Sequence, residues 1–65
     1  MLNTEVLARS IKTALDIGAH DVSYRRAAEV AAHLYQGAIE HEWLGMPSSD
    51  DSLQAWARKL NEALR

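Results

Sequence analysis

Between Tyr24 and Ile39 apolar residues recur every three or four positions, the period of an α-helix, and alanine is the commonest among them. In helical projection Tyr24, Ala27, Ala28, Ala31, Leu34, Tyr35, Ala38 and Ile39 cluster with Val30 and Ala32 as borders, making a sector roughly 200° wide. A single neighbouring helix covers less than that. Alanine carries little bulk, so other backbones can come close on more than one side. The pattern therefore predicts a helix whose surroundings come partly from its own chain and partly from another copy or another protein.

The size of the chain points the same way. At 65 residues it has room for one domain. A chain of this length buries only about 60% of the surface that its unfolded form exposes, and a lone core seldom supplies more than about 3–5 kcal/mol. Cysteine is absent, which excludes disulfides and thiolate metal sites as the missing source of stability. Association remains. A hydrophobic share of 48% and a charged share of 25% are those of a folded globular chain. The net charge of −2 is too weak for a phosphate-binding field. No apolar run is long enough to span a bilayer, and Met-Leu-Asn-Thr-Glu lacks the basic-then-apolar order of a secretory signal, so a cytoplasmic protein is expected.

Three helices are expected, over about residues 4–17, 22–44 and 49–64. Asn3 or Thr4 can cap the first, Glu5 suits its positive end, and Gly18 stands where a left-handed residue would end it. Leu7, Ala8, Ile11, Ala14 and Leu15 share the expected core face; Val6, Ser10, Thr13 and Ile17 form a thinner stripe read as the edge of the same core. Ala19-His20-Asp21 reads as a short connector, with Asp21 or Ser23 capping the second helix. Within that helix Gly37 faces away from the centre of the apolar sector, as a tolerated glycine, a small kink or a packing contact. Pro47 is the sharpest boundary; Ser48-Ser49-Asp50-Asp51 supplies a cap and two acids, and Ser48-x-x-Asp51 has the form of a capping box. The third helix carries Leu53, Trp56, Ala57, Leu60, Ala63 and Leu64 on one face, with Gln54, Arg58, Asn61, Glu62 and Arg65 opposite. No stretch has the alternation of a strand. The expected fold is all-α, a small three-helix bundle or a helical hairpin plus a third helix, in an oligomer.

The expected partner or oligomer interface is Tyr24, Ala28, Ala32, Tyr35, Ile39, Trp43 and Met46, because aromatic and methionine side chains concentrate at protein contacts. Trp43 and Met46 fit equally well as the floor of the bundle beneath the third helix. Tyr24, Arg25 and Arg26 at a helix N-terminus form a candidate anion site. Glu29 and His33 share a polar row but lack a third ligand for a metal. His41 precedes a glutamate, yet Gly45 stands where a zinc-protease helix needs its second histidine. Glu42 projects onto the apolar face, where it must either reach water at a frayed end or pair with a base. No catalytic, cofactor or metal site is expected.

An acidic turn, Arg26, then Val30-Ala31 and Gln36 follow a short helix, an order that resembles the helical hairpin of phage sponges for cyclic oligonucleotide signals. The third helix departs from that pattern, and the resemblance includes no distinctive motif. It implies an oligomeric sponge for a small anionic or cyclic-nucleotide ligand, which stands as an alternative. The leading expectation is a non-enzymatic regulator or inhibitor that self-associates and binds a larger protein; size alone suggests a phage origin. A helix-turn-helix-like nucleic-acid binder is the further alternative, disfavoured because acids intrude on every polar face.

Overall fold

A computed structural model of the chain describes residues 2–40 and 49–65. Among the described residues every regular element is a helix: α1 (Thr4–Asp16), α2 (Ala19–Val22), α3 (Tyr24–Glu40) and α4 (Asp50–Ala63). The all-α expectation holds, with one helix more than expected. The residues read as a connector form the single turn α2, and Ser23 in extended conformation separates it from α3. The Ser23 hydroxyl accepts from the Arg26 N–H, so serine capping is what divides the two helices.

The other boundaries are equally local. Asn3 Oδ1 accepts from the Val6 N–H at 3.0 Å, and Ser49 Oγ accepts from the Ser52 N–H at 3.1 Å. The α4 cap is thus Ser49; Ser48 of the anticipated capping box lies outside the described residues. Gly18 adopts φ +78°, the left-handed geometry that costs an L side chain strain, and it turns the chain out of α1.

α1 and α3 form the main pair. They run antiparallel, since the Asn3 N–H at the start of α1 donates to the Tyr35 hydroxyl late in α3 at 2.9 Å. Their contact is built from Ala14, Ala27, Val30, Ala31 and Leu34, with α2 contributing Ala19 and α4 contributing Ala57. Small side chains dominate this core, so the helices approach closely and even Ser10 and Thr13 are buried.

The rotation of α1 corrects the sequence expectation. Its inward side is the thin stripe of Ser10 and Thr13 with Ala14, whereas Ala8 is exposed and Ile11 and Leu15 are 45% and 43% exposed. Burial of the two hydroxyls costs little because each is satisfied inside its own helix, Ser10 Oγ donating to the Val6 carbonyl and Thr13 Oγ1 to the Arg9 carbonyl, both at 2.8 Å. Small polar residues with internal partners thus take the tight contact, and the bulkier apolar ones are left outside.

α4 crosses the α1–α3 pair on one side. Leu53 and Ala57 are buried, and Trp56, Leu60 and Leu64 are half-buried against the core. Ala63, expected inside, is exposed. Gly37, one of whose readings is a packing contact, is buried against the Trp56 indole. Arg26 reaches the far end of α4, its Nη1 donating to the carbonyl and the Oδ1 of Asn61 and its Nη2 to the Leu64 carbonyl. Those carbonyls belong to a helix C-terminus, where a cation is favoured and free acceptors are abundant. Asn61, assigned by its pattern to the solvated face, is therefore half-buried and bonded.

Candidate functional site: an open face across two helices

Helical geometry fixes which side of the α1–α3 pair α4 leaves bare. Arg9 on α1 contacts Asp50 at 3.2 Å, and Arg26 and Gly37 on α3 contact α4 as described. Ile11, Ala28 and Ile39 each follow one of these residues by two positions, and two positions turn a helix by about 200°. They therefore point away from α4. Because α1 and α3 are antiparallel neighbours, their outward flanks lie side by side and make one apolar face.

On α3 this face carries Tyr24, Ala28, Ala32, Tyr35 and Ile39; on α1 it carries Ala8, Ile11 and Leu15. Tyr24 is 85% and Ile39 41% exposed, Ala28 and Ala32 are exposed, and Tyr35 is half-buried with its hydroxyl tied to Asn3. The wide apolar sector of α3 thus divides into two. Ala27, Val30, Ala31, Leu34 and Ala38 are the core, with Val30, read as a border, fully buried. The outer half is the face. Of the expected interface, Tyr24, Ala28, Ala32, Tyr35 and Ile39 share this side of α3, whereas Trp43 and Met46 lie outside the described residues, as do His41 and Glu42. Ala8, Ile11 and Leu15 are the members that sequence reasoning misses; the cue available is the Ser10 and Thr13 stripe, which can face inward when its hydroxyls bond back to the helix.

The rim is polar and internally paired. Arg25 Nε contacts Glu29 at 3.1 Å, Lys12 Nζ contacts Asp16 at 2.9 Å, and Gln36 Nε2 donates to Glu40 at 3.0 Å. Hydrogen bonding to Asp16, followed by the charge of that carboxylate, raises the Lys12 ammonium above its ordinary 10.5.

The three residues of the candidate anion site are not gathered on one side. Arg26 is committed to α4, Arg25 lies along Glu29, and Tyr24 stands on the open face. A shallow groove of about 250 Å³ on α4 is lined by Arg58, Lys59, Asn61, Glu62 and Arg65, a region that the sequence pattern assigns to solvated surface. Among the described residues no group of three or more His, Cys, Asp or Glu side chains could hold a metal ion, and no helix is long and apolar enough to cross a membrane. Comparison with protein-family models, with curated proteins and with solved structures finds no match for the chain.

Proposed function

We propose that the protein is a non-enzymatic interaction module, a small regulator or inhibitor that lays its α1–α3 face on another protein surface and also associates with itself. The observation that supports this is the continuous apolar face opposite α4. Leu15, Ile11, Tyr24 and Ile39 sit there in water although the same chain has only a small alanine core to stabilise it. Large apolar patches rimmed by polar residues mark contact sites on folded proteins. The expected residues Tyr24, Ala28, Ala32, Tyr35 and Ile39 supply the α3 half of it.

The test is a variant carrying Ile11→Asp with Ile39→Asp. Both positions are exposed, so folding stability should move by only about 0.5 kcal/mol per site. Sedimentation at micromolar concentration should show an assembly for the natural chain and a monomer for the variant, and photo-crosslinking from position 11 in the native host should trap a larger protein. A natural chain that sediments as a monomer and traps nothing ends this reading.

Sequestration of a small anion is the second reading, favoured by the basic groove at Arg58, Lys59 and Arg65. A thermal shift with nucleotides and cyclic nucleotides that is lost in Arg58→Gln with Lys59→Gln would establish it; a flat response across the panel would remove it. Nucleic-acid binding would need a field of cations clear of carboxylates, whereas Arg9, Lys12 and Arg25 each contact one and the groove of Arg58, Lys59 and Arg65 is also lined by Glu62.

A further inference from the structure

From the spacing and side-chain sizes on the open flank of α3, we infer that the face pairs with a second copy of the chain through an antiparallel α3–α3 contact. This inference rests on the proposed function and names the partner for one part of it. Ala28, Ala32, Tyr35 and Ile39 are separated by four, three and four residues, the alternation that keeps one seam of a helix turned toward a partner helix. All four lie on the side away from α4.

Their order is self-complementary in one direction. If a second α3 runs antiparallel across a two-fold axis near positions 33 and 34, Ala28 meets Ile39 of the other copy and Ala32 meets its Tyr35. The symmetry repeats both contacts. Every layer then sets a small residue against a large one, which fills space at the short helix separation that alanine permits. A parallel pair would instead stack Tyr35 on Tyr35 and Ile39 on Ile39, with opposed alanines leaving voids between them.

Charge agrees with this direction. Arg25 stands at the start of α3 and Glu40 at its end, where the Glu40 carboxylate accepts from the neutral amide of Gln36. The antiparallel arrangement brings each Arg25, which lies along Glu29 of its own helix, toward the Glu40 of the other copy and sets each helix N-terminus beside a C-terminus, both favourable. A standard interface takes roughly 800 Å² from each partner, more than one flank of the 17-residue α3 can offer. The contact must then use the α1 flank as well, with Ile11 and Leu15 extending the seam made by α3.

The cysteine-free sequence makes the orientation measurable, because any disulfide formed by single-cysteine variants joins two chains. Ala28→Cys and Ile39→Cys are prepared separately, mixed and oxidised gently. In the antiparallel pair position 28 faces position 39, whereas two copies of position 28 are eleven residues apart along the axis, about 16 Å, beyond disulfide reach. The expected result is a natural chain sedimenting at twice 7.2 kDa and a mixed disulfide that far exceeds either homodisulfide. A dominant homodisulfide of the Ala28→Cys chain, or no crosslink in a mixture that still sediments as a dimer, overturns the antiparallel seam and leaves the interaction reading standing. A monomeric natural chain that photo-crosslinks to a larger host protein overturns the seam alone; a monomer that traps nothing overturns both.

Discussion

The indole of Trp56 occupies the space into which a side chain at Gly37 would grow: a Cβ there would collide with Cη2, Cζ2 and Cζ3 of the ring. The glycine is therefore a seat for α4 rather than a tolerated weak point in α3. Alanine is the better helix former by about 1 kcal/mol, but a rigid ring wedged between two helices cannot swing aside as a flexible chain end could. Gly37→Ala is expected to destabilise the fold by about 1–3 kcal/mol in urea unfolding, against the sign given by helix propensity. Trp56→Leu combined with Gly37→Ala should recover part of that loss.

Arg26 holds α4 by its last turn through three acceptors in a fixed fork geometry. Replacement by methionine keeps the stem and removes all three bonds, at an expected cost of about 1.5–3 kcal/mol, the range for hydrogen bonds to charged groups. Lysine should restore little, because one ammonium cannot reproduce the planar fork. Amide exchange would localise the effect, with Leu60 to Leu64 losing protection before α1 does.

Substitutions on α1 separate its two stripes. Ile11→Gln is expected to leave unfolding free energy within about 0.5 kcal/mol of the natural chain while weakening association, since the residue is half exposed on the open face. Ser10→Leu makes the helix look more amphipathic on paper, yet it should cost about 1–3 kcal/mol by forcing bulk into the contact with α3. Chemical denaturation and sedimentation of both variants would check the pair; the reverse ranking would mean that α1 is rotated the other way.

The Lys12–Asp16 pair sets a pH dependence of known sign. The Lys12 ammonium is raised above its ordinary 10.5 by the hydrogen bond to Asp16 and by its charge, so its contribution is fully present below that value and is lost as pH rises through the folded value. The pair is exposed and screened by salt, so the effect is small. Lys12→Met should melt slightly below the natural chain at neutral pH, and the two curves should converge in strongly alkaline buffer where the lysine is neutral.

Which features the sequence discloses follows from how far apart their partners lie. The Asn3 cap, the Gly18 turn, the Ser23 cap and the start of α4 depend on residues within one helical turn, and each is legible in the chain. The break that makes Ala19–Val22 a helix of its own is not, because a four-residue turn has too little pattern to stand out. The rotation of α1 is hidden for a different reason: hydrophobicity ranks Ile11 above Ser10, but a serine bonded to its own Val6 carbonyl behaves as a small residue. Arg26 offers no cue, since its acceptors are mostly backbone carbonyls 35 and 38 residues away. The α3 part of the open face can be anticipated because the apolar sector is wider than one neighbour can cover. The α1 part depends on the inward turn of the Ser10 and Thr13 stripe and on which side α4 takes, and only the stripe is visible in the sequence.

Tyr35 lies in the open face, and its hydroxyl receives the Asn3 N–H. Whatever is joined ahead of Asn3 consequently emerges beside that face. Anything joined after Arg65 leaves from the side where Arg26 grips the Leu64 carbonyl, across the molecule. A reporter fused to the front of the chain would shadow the surface through which the protein is proposed to act, and the same reporter at the back would leave it clear.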